Sequence, residues 1–432
     1  MLTQAPKGTK DVLPTEIYKW QALEKMMRTE AELAGFREVR TPVFEHTELF
    51  LRSIGDTTDV VQKEMYTFKD KGDRSITLKP EGTAGAARAF LEGRLVSDAL
   101  PCKMYYINNP IFRYENPQAG RLREHHQFGI ECYGAKDASA DADVITVAYR
   151  FFKKLGVKNL TVKINSIGCP ECRKAYLETL RGFMHEHEGK LCETCHTRLE
   201  RNPMRILDCK SPICQQEVKD APAMLDMLCD ECKEHFECLK SLLEELEIPY
   251  VIDSRIVRGL DYYTRTVFEL ITQTEKGELT ICGGGRYDKL VEELGGPATC
   301  AVGFGMGIER VLMLVEQEGI EIPKPRTLDV YVTIQTPEAK LPAFKLCQQL
   351  REIGLKADCD HNSRSLKAQF KFADKTGAPI TVVIGQDELR NGLVKSRDMV
   401  SRDEELFYIG EAAGKIAEQL ADIDAEQCGT DY

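Results

Sequence analysis

The 432-residue sequence has no run of 18 or more apolar residues, so no segment is predicted to cross a membrane as a helix. The first residues lack the basic, apolar and small-residue regions of a secretory signal peptide. Internal repeats and low-complexity segments are also missing, which argues against repeat arrays and disordered chains. We therefore expect a globular, cytoplasmic protein with no membrane partner.

The sequence also lacks an excess of positive charge, since its net charge is −11. The acidity is concentrated near the end of the chain, where residues 401–432 hold two basic and nine acidic residues. Residues 326–400 hold 12 basic and 9 acidic residues, a local charge of +3. A basic face for a nucleic acid thus remains open on this segment despite the overall sign.

Cysteine, in contrast, is abundant: there are 16, and nine fall between Cys169 and Cys238. Without a secretory signal, clustered C-x-x-C pairs indicate metal ligands more readily than disulfides. Eight thiolates would suffice for two tetrahedral Zn²⁺ sites that stabilise a small segment. Reduced cysteines without metal are the alternative, and the pairing is open. The candidate ligands are Cys169, Cys172, Cys192, Cys195, Cys209, Cys214, Cys229 and Cys232.

The length exceeds that of one ordinary core and predicts two or three domains. Residues 166–248 are Cys-rich, charged and mostly helical in pattern, with several prolines, and lie between strand-like segments. We interpret them as an insertion. Pro323-Lys-Pro-Arg326 is typical of a linker. Beyond it, strand and helix patterns alternate through residues 326–432, which predicts a small α/β domain ending in an acidic tail.

A polar hairpin is predicted at residues 112–134. Arg113 and Glu115 stand two apart on a predicted first strand, and Gln127, Gly129 and Glu131 share one face of the second. Arginine suits bidentate phosphate recognition, whereas Glu and Gln accept hydrogen bonds from ammonium or imidazole N–H groups. The hairpin therefore suits a substrate with both phosphate and amine groups. Taken alone, such a hairpin would more often be an exposed surface with salt bridges, and the rest of the chain argues against that alternative.

Three further stretches complete the candidate site. Glycines at 303, 305 and 307 would share one face of a strand and admit a flat ligand such as a purine, with Arg310 following on a helix. Residues 257–269 combine Arg258 with the paired tyrosines 262 and 263. Gly82-Thr83 is expected to open a helix, and capping of that helix is the purely structural interpretation of the Thr83 hydroxyl. Alone, the glycines would more often mark close helix–sheet packing, and the tyrosines core packing.

Together these stretches resemble the class II aminoacyl-tRNA synthetases, and the histidyl-tRNA synthetase family in particular. The resemblance covers essentially the whole chain. The matching stretches are an N-terminal signature (7–14), the motif 1 proline at a dimer interface (Pro42), motif 2 (113–131), motif 3 (303–310) and two boxes special to histidine enzymes (258–263 and 283–288).

The resemblance implies ligation of L-histidine to histidine tRNA through a histidyl-adenylate, with ATP and Mg²⁺. Arg258 and Arg113 would be catalytic, with Arg258 in the place of a metal ion. Gln118 would contact the tRNA acceptor end, beside Asn116 where the family usually has Arg. ATP would be bound by Arg113, Glu115, Arg121, His125 (in place of a stacking Phe) and Arg310, and histidine by Glu81, Thr83, Gln127, Glu131, Arg258, Tyr262 and Tyr263.

The resemblance also implies the architecture. An α+β catalytic domain built on an antiparallel sheet would span residues 1–325, interrupted by the mostly helical insertion at 166–248. An α/β anticodon-binding domain would span residues 326–432. The chain would act as a homodimer, and the insertion would contact the tRNA acceptor arm.

The main alternative is a non-catalytic, synthetase-like regulatory subunit of ATP phosphoribosyltransferase. Such a paralogue would be free to lose Arg113, Arg258 and Arg310 and usually lacks the C-terminal domain, whereas this sequence has all of them. A class II enzyme for another amino acid is disfavoured by the two histidine-type boxes. A purely structural protein would not need three arginines suited to phosphates.

Overall fold

The computed structural model describes residues 3–55, 58–118, 120–209, 211–275 and 277–428. The chain divides into two compact units, Met1–Ile322 and Pro323–Tyr432. Among the described residues, no helix has the length and apolar character needed to span a membrane.

The described part of the first unit combines one large sheet, one small sheet and helices. Its strands are β1 (Arg37–Glu38), β2 (Phe44–His46), β3 (Tyr66–Lys69), β4 (Ser75–Leu78), β5 (Cys102–Phe112), β6 (Glu124–Tyr133), β7 (Thr161–Ser166), β8 (Tyr250–Ile252), β9 (Thr264–Thr274), β10 (Gly277–Arg286) and β11 (Ala301–Gly307). Its α-helices are α1 (Ile17–Leu33), α2 (Thr47–Ile54), α3 (Thr83–Glu92), α4 (Ala138–Leu155), α5 (Pro170–Glu186), α6 (Glu193–Arg201), α7 (Pro212–Glu217), α8 (Asp230–Glu245), α9 (Leu290–Glu293) and α10 (Ile308–Glu318). Shorter helical turns lie at Val60–Glu64, Leu95–Ser97, Glu188–Lys190, Pro203–Ile206 and Met224–Met227.

The large sheet has eight strands in the order β1-β5-β6-β11-β10-β9-β7-β8. Its central pairs are antiparallel, and the two edge pairs, β1 with β5 and β7 with β8, are parallel. The small sheet has the order β2-β4-β3. The long antiparallel strands thus form the platform of the unit.

Helix α4 illustrates how local sequence and packing agree on the covered face of the sheet. Asp137 caps its start by accepting from the Ser139 backbone N–H at 2.8 Å, and Gly156 ends it with φ 91°. Between them, apolar side chains at helical spacing, including Val144, Ile145 and Phe152, enter the main hydrophobic core. Because α4 packs on this face, a ligand-binding site can form only on the opposite face of the central strands.

The Cys-rich segment leaves the sheet after β7 and returns at β8, which pairs in parallel with β7. Helices α5 to α8 lie within it. Its buried side chains, such as Tyr176, Leu180 and Ile206, belong to the same apolar cluster as Tyr262, Tyr263 and Val267 of the sheet side. The segment therefore packs on the platform.

The second unit is a small α/β fold. Its elements are β12 (Val330–Ile334), α11 (Lys340–Glu352), β13 (Ala357–Cys359), α12 (Leu366–Thr376), β14 (Ile380–Ile384), α13 (Gln386–Arg390), β15 (Leu393–Asp398), β16 (Glu404–Tyr408) and α14 (Ala412–Cys428), with a helical turn at Pro337–Ala339. The sheet order is β13-β12-β14-β15-β16, with the first three strands parallel and the last two antiparallel. Most of the acidic segment forms β16 and α14, and residues 429–432 lie outside the described part.

Candidate active site

The candidate active site lies on one face of β6, β10 and β11. The register of β11 with β6 places Gly303 opposite Glu131 and Gly305 opposite Gly129. A Cβ atom at Gly305 would overlap the side-chain amide of Gln127, and one at Gly303 would overlap the carboxylate of Glu131. The missing side chains therefore provide the space that the Gln127 and Glu131 side chains occupy.

The prediction that the glycines of β11 share one face is confirmed. Val302, Phe304 and Met306 alternate with them and lie in the hydrophobic core. The expectation of a bare surface for a flat ligand is wrong at Gly303 and Gly305, because polar side chains of the neighbouring strand lie over both positions.

Glu131 is fully buried at the centre of this face. Its carboxylate accepts hydrogen bonds from the hydroxyls of Tyr106, at 3.0 Å, and Tyr287. Burial raises the pKa of Glu131 to about 8, although the hydroxyls of Tyr287, Thr83 and Tyr106 partly offset this rise. The side chain therefore holds its proton more readily than an ordinary carboxylate.

Tyr106 and Tyr287 are site residues that the sequence interpretation missed. A Cβ atom at Gly129 would lie 2.6 Å from Cε2 of Tyr106, so this glycine within a strand marks the approach of the ring. Tyr287 lies inside the glycine-rich 283–288 box, and its ring centroid is 5.5 Å from that of Tyr262. The sequence signals that could have indicated these two tyrosines were therefore the glycine at 129 and the glycine-rich box at 283–288.

Glu81 occupies the start of α3. Its carboxylate accepts from the backbone N–H groups of Thr83 at 2.7 Å and Ala84 at 2.8 Å. The interpretation of the Thr83 hydroxyl as the cap of this helix is wrong, because Gly82 is the N-cap residue and Thr83 is already the first residue of the helix. Burial raises the pKa of Glu81, and the two backbone donors counteract that shift.

Gln127 contributes an acceptor without a partner. Its side-chain Oε1 is buried and has no hydrogen bond among the described residues. An unpaired buried acceptor is costly unless a ligand donates to it. Together with Glu81 and Thr83, it makes this end of the pocket suited to an ammonium group.

Arg258 brings a fixed positive charge to the same face. Its Nη1 donates to Glu269 at 2.6 Å, and its guanidinium lies 5.6 Å from the ring centroid of Tyr263. A Cβ atom at Gly283 would lie 2.8 Å from the guanidinium carbon, so the side chain crosses β10 at a glycine. Tyr262 and Tyr263 are both buried beside it, with ring centroids 4.7 Å apart.

The loop between β5 and β6 carries the predicted phosphate-binding arginine Arg113. Strand β5 ends at Phe112, so the prediction that Arg113 and Glu115 lie on it is wrong. Arg113 is instead fixed by donating from Nε to the Pro80 carbonyl at 2.8 Å, and its Nη1 lies 3.7 Å from Glu64. The direction of this guanidinium is therefore set by contacts made within the loop and not by the alternation of side chains along a strand.

Arg310, in the first turn of α10, donates to the Thr280 carbonyl at 2.7 Å. Burial and the nearby charge of Arg121 both lower the pKa of Arg310. Arg121 in turn lies 3.6 Å from Glu115. Two guanidinium groups close enough to repel each other make a place where an anion is stabilised.

His125 and Gln118 are placed differently. Burial, with the charge of Arg113, lowers the pKa of His125 to about 4, and its Nδ1 is buried without a hydrogen-bond partner among the described residues. The ring is therefore neutral at pH 7. Gln118 is exposed, and its backbone exchanges hydrogen bonds of 2.9 Å with Arg121 across the turn. Its neighbour Ala119, part of the predicted turn, lies outside the described residues.

Arg286 belongs to the 283–288 box but does not enter the pocket. It is fully buried, pairs with Asp141, and lies 3.3 Å from Asp288. The Ala135 carbonyl also accepts from it at 2.8 Å. This residue thus ties β10 to α4 and supports the platform.

The cysteines of the insertion form two groups of four. One contains Cys169, Cys172, Cys229 and Cys232, and the other Cys192, Cys195, Cys209 and Cys214, with all thiol sulfurs of a group within 4.8 Å of one another. All are free thiols. The Sγ atoms of Cys169 and Cys172 are 3.5 Å apart, and those of Cys192 and Cys209 are 3.9 Å apart. Four thiolates about 2.3 Å from a central ion have roughly this spacing, so either group could hold a metal.

Comparison with known proteins identifies the chain. Residues 8–311 match the family model for histidyl-tRNA synthetase, and residues 329–419 match that for an anticodon binding domain. The chain is 55% identical over 411 residues to a histidine–tRNA ligase of Caldanaerobacter subterraneus subsp. tengcongensis, covering 95% of this chain and 98% of that one. It is 56% identical over 399 residues to a histidine–tRNA ligase of Clostridium botulinum, covering 92% and 95% of the two chains.

A solved structure agrees with the sequence relatives. The apo histidyl-tRNA synthetase of Staphylococcus aureus superposes with a TM-score of 0.83 at 37% identity, covering 96% of this chain and all of that one. The expected class II synthetase fold with a C-terminal anticodon-binding domain is confirmed. The chain therefore belongs to the histidyl-tRNA synthetase family.

Proposed function

We propose that this protein ligates L-histidine to histidine tRNA, first forming histidyl-adenylate from histidine and ATP. The observation that carries the proposal is a buried pocket in which Glu131, the unpaired Gln127 acceptor and the Arg258 guanidinium occupy one sheet face. These groups complement the imidazole, ammonium and carboxylate groups of histidine.

Histidine recognition is assigned to two ends of the pocket. Gln127 Oε1, with Glu81 and Thr83, accepts from the α-ammonium group. Glu131 and Tyr263 contact the imidazole nitrogens, with Tyr262 as a wall. A buried carboxylate left unpaired by a wrong side chain penalises that amino acid heavily, and the hydroxyls of Tyr106 and Tyr287 hold Glu131 in place. Selectivity thus follows from burial.

Activation of the carboxylate requires two anions to meet. Arg258 contacts the histidine carboxylate and the α-phosphate, Arg113 the α-phosphate, and Arg121 and Arg310 the outer phosphates. ATP enters as its Mg²⁺ complex, and Glu115 is the carboxylate placed beside the phosphate-binding arginines. Fixed cations stabilise charge that develops at the α-phosphorus, and removal of one such group costs about 10²–10³ in rate. No side chain needs to act as a general base.

Contacts to adenine and tRNA complete the assignment. His125, neutral because burial lowers its pKa to about 4, offers an uncharged ring for stacking on adenine. Gln118, exposed on the loop that follows Arg113, reads the acceptor end of the tRNA. Residues 326–432 are proposed to bind the anticodon, and residues 1–325, without the insertion at 166–248, to perform catalysis.

The regulatory-subunit alternative receives less support. The curated relatives at 55% and 56% identity are named as ligases, and the anticodon-domain match at residues 329–419 has no use in a protein that does not bind tRNA. Arg113, Arg258 and Arg310 are all present and directed by hydrogen bonds to neighbouring groups. A non-catalytic paralogue has no need to orient them.

We further propose one structural Zn²⁺ in each four-cysteine group. Thiolate-only sets suit Zn²⁺, and closed four-ligand sites are structural. Backbone N–H groups support the ligands, because Cys229 N–H donates to the Cys172 sulfur at 3.1 Å and Cys192 N–H to the Cys214 sulfur at 3.2 Å. Elemental analysis of protein purified without added metal is expected to give two zinc ions per chain.

A homodimer that works in the cytoplasm is also proposed. Val43 and Phe44, which follow the motif 1 proline, are 41% and 56% exposed, and Phe68 on the same small sheet is 48% exposed. Apolar side chains gathered on one small sheet fit a surface covered by a second copy. Sedimentation of Phe44→Asp against the unchanged protein tests this assignment. The cytoplasm is the compartment that supplies tRNA.

Histidine-dependent ATP–pyrophosphate exchange tests the proposed reaction. The purified protein is expected to catalyse exchange. The variant Arg258→Ala is expected to catalyse it about 10²–10³-fold more slowly. Exchange that is absent from the folded, zinc-loaded protein would contradict activation and favour the regulatory subunit. Loss of exchange without loss of histidine binding would place Arg258 at the phosphate alone.

A further inference from the structure

The segment from Arg258 to Arg265, called the histidine loop below, carries three proposed substrate contacts: Arg258, Tyr262 and Tyr263. Its backbone makes few sheet hydrogen bonds, because β9 begins only at Thr264. It is instead held by side chains and backbone groups of the Cys-rich insertion on two sides. Each side belongs to one of the four-cysteine groups.

The first side is built around Cys169, Cys172, Cys229 and Cys232, called site A. Arg173 follows Cys172 in the first turn of α5, and its guanidinium donates to the carbonyl groups of Asp261, at 3.5 Å, and Tyr263. Its side chain is half-buried between α5 and the loop. Two carbonyls of the histidine loop are thus bonded to the residue adjacent to a proposed zinc ligand.

Arg265, at the end of the histidine loop, has φ 49°, a conformation unfavourable for a residue with a side chain. Both of its backbone groups are bonded to the segment before Cys169: its N–H donates to Gly168 at 2.8 Å and its carbonyl accepts from Ile167 at 2.7 Å. Its guanidinium also contacts Glu231, between Cys229 and Cys232, at 2.6 Å. The two backbone bonds continue the pairing of β7 with β9 as far as Gly168, the residue before the first cysteine of site A. The Arg265 conformation is therefore held next to site A, and the Glu231 contact links it to the Cys229–Cys232 pair.

The second side is built around Cys192, Cys195, Cys209 and Cys214, called site B. The chain between Cys195 and Cys209 forms an arm that reaches the loop. Asn202 donates to the Asp261 carboxylate at 3.0 Å, and Arg205 donates to the Arg258 carbonyl at 3.0 Å. Arg205 is braced by Asp208, 3.3 Å away and adjacent to Cys209. The arm is thus hydrogen-bonded to the backbone carbonyl of Arg258, the proposed catalytic arginine.

We propose that the two zinc sites position the histidine loop, so that metal binding in the insertion is coupled to histidine binding and activation, with Arg173, Asn202 and Arg205 as the positioning residues. This inference rests on the proposed zinc ions and the proposed role of Arg258. The physical reason is that short, irregular segments have little local stability and take their geometry from what they pack against. A metal that closes each four-cysteine group fixes the supporting residues, and these fix the loop.

The first measurement is hydrogen exchange of the histidine loop, which requires no catalysis. In zinc-loaded full-length protein, amides of residues 258–265 are expected to be protected. Cys214→Ser, which opens site B, should reduce zinc from two to one per chain and speed exchange in this loop, while strand β6 stays protected. Cys232→Ser should do the same from site A.

The second measurement separates positioning from general stability. Asn202→Ala and Arg205→Ala should keep two zinc ions and the same melting temperature, but raise KM for histidine or lower kcat in ATP–pyrophosphate exchange by about 10- to 100-fold. Glu200→Ala is the matched control, because Glu200 is exposed near the end of α6 in the same arm, and it should leave both constants unchanged. Cys214→Ser combined with Asn202→Ala should be no worse than Cys214→Ser alone.

The possible outcomes distinguish failure of this inference from failure of the two proposals on which it rests. Absence of zinc from the purified protein would overturn the metal assignment and the inference with it. Absence of exchange activity in the unchanged protein would overturn the proposed reaction but leave the hydrogen-exchange test valid. The third outcome concerns an unchanged protein that holds two zinc ions and is active. If its cysteine, Asn202 and Arg205 variants then keep the same loop protection and the same KM for histidine, the coupling alone is overturned.

Discussion

Replacing Gly305 by alanine should weaken histidine binding by moving one side chain. The three atoms nearest a Cβ at this position all belong to Gln127, including Cδ at 3.0 Å and Cγ at 3.6 Å. These atoms lie on a flexible side chain, so the backbone of β11 has no need to shift. The amide of Gln127 must instead leave the place in which its Oε1 faces the proposed ammonium site.

The size of the effect follows from the bond that is lost. A hydrogen bond to a charged group contributes about 1.5–3 kcal/mol, and every 1.4 kcal/mol corresponds to about tenfold in affinity. KM for histidine should therefore rise by roughly 10- to 150-fold. KM for ATP should not change, because Gln127 has no assigned contact with the nucleotide.

The assay is ATP–pyrophosphate exchange with histidine and ATP varied in turn. Gly307→Ala is the matched control, since a Cβ at Gly307 meets nothing within 4 Å. The variant Gln127→Ala should reproduce the loss seen in Gly305→Ala. In the combined variant the new methyl group has no amide to displace, so the two losses should not add.

Two results would refute this reasoning. Fully additive losses in the combined variant would mean that Gly305 acts independently of Gln127. A selective rise in KM for ATP would mean that the glycine face receives the nucleotide after all, as the flat-ligand interpretation of the sequence expects.

Three other predictions concern the platform, the pocket and the tRNA contact. Arg286→Met leaves Asp141 buried without its main partner and should lower the free energy of unfolding by about 3–5 kcal/mol, measured in urea; adding Asp141→Asn should recover part of the loss, and no recovery would contradict the pairing. Burial raises the pKa of Glu131 to about 8 from 4.5, so the folded state binds more protons between these values and its stability should fall as pH rises through that window. Glu131→Gln should flatten this decline, and an unchanged slope would show that another group causes it. Gln118→Ala should leave ATP–pyrophosphate exchange intact and slow aminoacylation of tRNA; equal losses in both assays would place Gln118 at the activation step.

Much of the fold and of the candidate site follows from short-range patterns. The alternation on β11 is visible in residues 301–307, because successive side chains of a strand point to opposite faces. The start of α3 at Thr83 follows from a similar local signal. Spacings of this kind depend only on backbone geometry, so they survive into the tertiary structure.

Other predictions from the sequence are wrong because a partner that the local pattern does not reveal decides the hydrogen bond. Arg113 and Glu115 alternate as strand residues do, yet β5 ends before them, and Arg113 is held by the carbonyl of Pro80 from another part of the chain. Thr83 has the composition of a helix cap, but Glu81 provides the acceptor. The partner of Arg113 is distant along the chain, whereas the partner at the start of α3 is a near neighbour that accepts from the backbone donors a cap would have satisfied.

The sequence by itself determined the family, through motifs whose residues and spacing recur along nearly the whole chain. It also marked the cysteines as candidate metal ligands through their close pairing, mostly with C-x-x-C spacing. Only the tertiary structure decided that Cys169 and Cys172 group with Cys229 and Cys232, that Gly303 and Gly305 make room for Glu131 and Gln127, and that the insertion contacts the Arg258–Arg265 loop. The physical reason is one of range: spacing along the chain determines which side a residue faces, whereas packing between distant segments determines what it meets there.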